Sequence, residues 1–121
     1  MIRKFFKGFT FAWNGLFAAI KSELNLKFHL LAVLAVTVSG YFFCITRTEW
    51  IAIVLCFSIV LALELVNTAT EKLCDTLHPL QSEKIKLVKD ILAAAVLVAA
   101  IGAAVVGLII FLPYCTSLFK S

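Results

Sequence analysis

Across residues 91–113 the chain carries no charged side chain. An uncharged apolar stretch of this length matches the hydrocarbon core of a bilayer, about 30 Å thick, which takes roughly 20 helical residues to cross. Residues 28–45 form a second uncharged stretch, closed by Thr46-Arg47-Thr48-Glu49. A third segment is apolar over residues 50–63, and its helical pattern continues through Glu64 toward Asp75. No water is available in the bilayer core to satisfy exposed peptide groups, so spanning segments are helices or closed barrels. Uniform apolarity, without a period of two, excludes the barrel. The expected fold class is therefore an all-α membrane protein with spans at 28–45, 50–72 and 91–113. The chain has 121 residues, 63% of them hydrophobic and 15% charged. A soluble domain of this size buries too little of its surface to hide that much apolar area.

Residues 1–27 have a different pattern. Arg3, Lys7, Thr10, Asn14 and Lys21 share one helical face, and Phe5, Phe6, Phe9, Trp13, Leu16, Phe17 and Ile20 occupy the rest. The expectation is an amphipathic helix lying in the membrane interface, its basic face toward lipid phosphates. A cleaved signal peptide fits less well, because Thr10 and Asn14 interrupt the apolar stretch in phase with the polar face.

Five basic residues precede the first span (Arg3, Lys4, Lys7, Lys21 and Lys27), and four lie between the second and third (Lys72, Lys84, Lys86 and Lys89). Only Arg47 and Lys120 fall on the other side. The positive-inside rule then places the N-terminus and the second loop in the cytoplasm and Ser121 outside. The net charge of +4 is thus explained by topology. Nucleic acid is not an expected partner, since no basic patch carries interleaved stacking aromatics. Cys44, Cys56, Cys74 and Cys115 are scattered without metal-ligand spacing. In the third span Ala95, Ala99, Ala103 and Gly107 form a small-residue ridge, suited either to internal packing or to a subunit interface.

Glu64, Asn67, Glu71 and Asp75 stand at i, i+3, i+7 and i+11 on one helical face. Ionisable residues inside a span are costly and mark function by default. From Trp50, a rise of about 1.5 Å per residue puts Glu64 about 9 Å inside the cytoplasmic boundary and Glu71 at it. A partly desolvated carboxylate at the Glu64 level suits a general base. One at the boundary suits Mg²⁺, a hard cation preferring oxygen ligands and water. Lys89 and Asp90 enter from the same side, with Lys89 placed to clamp phosphate, and Glu23 could supply a second metal ligand. The competing readings are interhelical glue for Glu64 and Asn67, a solvated helix end for Glu71 and Asp75, or a proton-coupled transporter site at Glu64.

The run Glu64-Leu65-Val66-Asn67-Thr68-Ala69-Thr70-Glu71, followed by Asp75 and then Lys89-Asp90 before an alanine-rich span, resembles the prokaryotic diacylglycerol kinase/undecaprenol kinase family. Trp13-Asn14-Gly15-Leu16 and Glu23-Leu24-Asn25-Leu26-Lys27-Phe28-His29 extend the resemblance over nearly the whole chain. It implies a homotrimer in the bacterial inner membrane that moves the ATP γ-phosphate to a lipid alcohol, either undecaprenol or diacylglycerol. By the same resemblance Glu64 is the base, and Glu23 and Glu71 hold Mg²⁺. Lys89, Asp90 and Lys4 contact nucleotide, and Asn67 is a polar group of the active site. Asn25 and His29 lean toward the undecaprenol kinase branch.

Overall fold

The computed structural model describes residues 1–77, 80 and 82–120. Four helices follow one another: α1 (Ile2–Ser22), α2 (Leu24–Phe43), α3 (Arg47–Leu77) and α4 (Glu83–Lys120). The described residues contain no strand. Helices α2, α3 and α4 are each long and apolar enough to cross a membrane, so the expected fold class holds. Large apolar side chains such as Leu34, Val54, Leu97 and Ile109 are exposed along them, as lipid-facing residues must be. Ser121, which the charge count places outside, lies beyond the described residues, as do His78, Pro79 and Gln81.

The elements overrun the uncharged stretches. The surface helix stops at Ser22 and α2 starts at Leu24, ahead of the uncharged run. Glu23 alone separates them, in extended geometry (φ −112°, ψ 116°). Its N–H still donates to the Ala19 carbonyl, and its carbonyl accepts from the Lys27 N–H, so the chain bends without losing backbone bonds at the corner. Neither glycine nor proline stands there, which is why the sequence gives no sign of the break.

The α2–α3 connection is fixed by backbone and side chain together. Cys44 adopts the left-handed conformation (φ 53°, ψ 53°). The Cys44 N–H donates to Tyr41 and the Ile45 N–H to Gly40, the paired bonds of a Schellman C-cap. A capping box opens α3: the Thr46 N–H donates to Glu49 Oε1 (2.9 Å) and the Glu49 N–H to Thr46 Oγ1 (3.2 Å). The Tyr114 hydroxyl, from the far part of α4, also donates to Glu49 Oε1. Beneath these bonds Ile45, Ile53 and Ile110 form the buried core, flanked by Phe43, Trp50 and Phe111. The ends of α2 and α4 and the start of α3 are thereby joined at one end of the bundle, the closed end. The basic end opposite it carries α1, the end of α3 and the start of α4.

Helix α3 is the axis of the bundle, packing against α4, α2 and α1. Its buried residues are Ile53, Val60, Glu64, Asn67, Thr68 and Cys74, mostly one stripe that is apolar toward the closed end and polar toward the basic end. Ala95, Ala99, Ala103 and Gly107 are all half-buried. Ala103 and Gly107 line an open groove between helices, and a Cβ added at Gly107 would meet nothing within 4 Å. The small-residue ridge therefore borders the groove at Ala103 and Gly107 without close packing at Gly107.

Gly40 is the tightest approach. A Cβ there would lie 2.6 Å from Trp50 Cη2 and 3.2 Å from Ile45 Cδ1. The Trp50 ring is itself held against Tyr41, with centroids 5.0 Å apart, so it has little freedom to yield. Gly40→Ala is expected to destabilise the protein by about 1–3 kcal/mol, the usual cost of overpacking, read as a lowered thermal midpoint in detergent micelles.

Candidate active site

The polar half of the α3 stripe grades from hidden to open. Glu64 is 2% exposed, Asn67 6% and Thr68 4%, Glu71 is half-buried, and Asp75 is exposed. Across the helix interface, His29 Nε2 of α2 stands 3.8 Å from Glu64 Oε2. Glu71 and Glu23 are the acidic groups whose charges act on Glu64.

Glu23, at the α1–α2 corner, faces Lys72 Nζ at 3.9 Å. Lys89 donates to Asp75 Oδ1, tying the start of α4 to the end of α3. Lys86 pairs with Asp90 one helical turn away, at 3.1 Å. The structure therefore brings Glu64, Glu71, Glu23, Lys89 and Asp90 to one end of the bundle. It does not bring Lys4. At about 1.5 Å per residue, α1 carries Lys4 about 28 Å from Glu23 along its axis, and Lys4 is exposed.

Buried polar atoms without partners separate this site from its surroundings. Ser and Thr hydroxyls elsewhere on the helices bond back to a carbonyl one turn earlier, as Thr37 does to Val33 (2.7 Å), Ser58 to Val54 (2.8 Å) and Thr70 to Val66 (2.9 Å). Thr68 Oγ1 and Asn67 Oδ1 are buried without any hydrogen bond. Such orphans are uncommon in scaffolding and point to a polar ligand that completes them. Sequence reasoning passed over three elements: Thr68, the His29 contact with Glu64, and Lys72 beside Glu23. The first stands at i+4 from Glu64, a signal that was available; the other two depend on helix register.

From His29 at the basic end, a groove of ≈ 570 Å³ runs between α2, α3 and α4 toward Phe111. Ala32, Val36, Val60, Ala103 and Gly107 are among its lining residues. It is an apolar channel with a single histidine at its mouth. Among the described residues no group of three or more His, Cys, Asp or Glu side chains is set to hold a metal ion. Two carboxylates, Glu23 and Glu71, are nevertheless what Mg²⁺ commonly uses when substrate phosphates and water complete its shell. The donor set fits a metal that arrives with a nucleotide.

A buried carboxylate beside the histidine of an apolar groove, with acidic and basic groups gathered at the same end of the bundle, suits a membrane enzyme. Residues 10–111 match the family model of prokaryotic diacylglycerol kinase. The chain is 36% identical over 112 residues to the undecaprenol kinase of Bacillus subtilis (strain 168), covering 93% of this chain and 91% of that protein. It is 34% identical over 111 residues to a diacylglycerol kinase of Synechocystis sp. (strain ATCC 27184 / PCC 6803 / Kazusa), covering 91% of this chain and 63% of that longer protein. The chain belongs to the prokaryotic diacylglycerol kinase family. It is a multi-pass membrane lipid kinase, which removes the transporter reading of Glu64.

Thr68→Val tests whether the orphaned hydroxyl serves the site or the scaffold. Because that hydroxyl has no partner to lose, stability in detergent is expected to stay level or rise by up to about 2 kcal/mol. A clear fall in thermal midpoint would show that it holds the helices together.

Proposed function

We propose that the chain is an ATP- and Mg²⁺-dependent kinase that transfers the γ-phosphate to the hydroxyl of undecaprenol or diacylglycerol. It works at the cytoplasmic face of a bacterial inner membrane, as a single lipid kinase domain assembled into a homotrimer. The observation that carries this reading is the burial of Glu64 (2% exposed) beside His29, which lines the apolar groove. A lipid lying in that groove would present its one polar end to the one buried carboxylate.

In this reading Glu64 accepts the proton of the lipid hydroxyl, so that the oxygen can attack phosphorus. Asn67 orients the hydroxyl through its unpartnered Oδ1. Glu23 and Glu71 hold Mg²⁺, which when bound would neutralise charge on the triphosphate. Lys89 leaves Asp75 to meet phosphate, Asp90 contacts the nucleotide, and Lys4 does so on a neighbouring copy, given its distance from Glu23 on its own. Phosphoryl transfer depends chiefly on positioning and charge neutralisation, and these groups supply both without a glycine-rich phosphate loop.

The greater coverage of the undecaprenol kinase relative supports undecaprenol as the first acceptor to test. The groove cannot decide, since apolar pockets discriminate weakly between chains. Glu64→Gln is expected to fold and assemble normally while turnover falls by about 10²–10⁴-fold, the range of a lost general base. Transfer of labelled γ-phosphate to the two lipids in competition measures this and ranks the acceptors. Undiminished transfer by the variant would remove Glu64 from the mechanism.

A further inference from the structure

A base that takes a proton in each turnover must release it before the next. Glu64 is poorly placed to do so alone, because its side chain is only 3% exposed. Along α3 its neighbours Asn67 and Thr68 are themselves buried. Glu71 and Glu23 are the acidic groups acting on it from α3 and from the α1–α2 corner. His29 differs from all of these. Its Nε2 is 3.8 Å from Glu64 Oε2, its side chain is 25% exposed, and it lines the groove. It is therefore the more accessible partner of the hidden carboxylate. Imidazole is also the side chain whose unperturbed titration falls nearest neutrality. The separation is longer than a hydrogen bond, as expected of a catalytic contact that tightens when substrate binds.

We propose that His29 carries the proton out of the site, accepting it from Glu64 and passing it to water; this rests on reading Glu64 as the base. The lipid hydroxyl gives its proton to the Glu64 carboxylate as its oxygen bonds to the γ-phosphorus. The bond from that phosphorus to the β,γ-bridging oxygen breaks, and its electron pair leaves with the nucleoside diphosphate. The Glu64 proton then moves to the Nε2 lone pair of neutral His29. The imidazolium loses a proton from Nδ1 to water, and tautomer exchange through water restores the starting ring. Each turnover ends with carboxylate and neutral imidazole regenerated.

The test uses the full-length protein in mixed micelles with Mg²⁺, ATP and, as acceptors, undecaprenol and a diacylglycerol. His29→Ala is expected to lower kcat by about 10–100-fold and to leave KM for ATP nearly unchanged. Added imidazole should restore turnover. His29→Gln, which keeps polarity but cannot carry a proton, should be equally slow and covers the case in which the alanine variant does not fold. Wild-type kcat in His29→Gln would overturn the proposal, as would a slow His29→Ala that ignores imidazole. Glu64→Gln run in parallel separates the two readings. Turnover by that variant refutes the base itself, whereas its silence beside a wild-type-like His29→Gln refutes the relay alone.

Discussion

The burial of a carboxylate on a membrane-spanning helix governs this molecule. An ionisable group at that depth must find partners within the protein, because the surrounding lipid supplies none. Helix α3 meets the demand by dividing its buried stripe into an apolar half, Ile53 and Val60, and a polar half, Glu64, Asn67 and Thr68. The apolar half docks into the isoleucine core at the closed end. The polar half faces His29 and is left with two unpartnered oxygen atoms. Stability and chemistry are thus assigned to opposite ends of one helix, and neither intrudes on the other.

The basic end works under different rules. Glu23 with Lys72, Asp75 with Lys89 and Asp90 with Lys86 all pair near solvent. Pairs so close to solvent contribute little to stability. They keep the long side chains in position at little energetic commitment, so that under the proposed function a polyanion could exchange partners with them. The cation sitting on Glu23 is easily displaced for the same reason. A buried pair would have resisted such exchange, since breaking one leaves an uncompensated charge.

Much of this was readable from the chain alone, for reasons that can be named. Uncharged runs the length of a bilayer reveal spanning helices, and the period of Glu64, Asn67 and Glu71 reveals a shared face. The amphipathic N-terminal segment followed from the same periodicity. The corner at Glu23 was not readable, because no glycine or proline marks it and its backbone bonds continue almost unbroken. Pairings between helices were also hidden. Periodicity tells which face of α2 carries His29 but not its height against α3, so the approach to Glu64 needed coordinates. The resting partner of Lys89, Asp75, was hidden in the same way. The orientation of the alanine ridge was open for the same reason, since small residues suit inward and outward packing alike.

The turn at the closed end bears on motion as well as on stability. Gly40 lies against Trp50, and the capping box and Tyr114 hold the adjoining backbone, so α2 and α3 can separate or close only by swinging about that point. From Trp50 to Glu64 the lever is about 21 Å long. Bringing His29 from 3.8 Å to hydrogen-bonding distance takes about 1 Å, which over that length is a tilt of about 3°. The pivot converts an angular change too small to disturb its own packing into the full stroke needed at the opposite end.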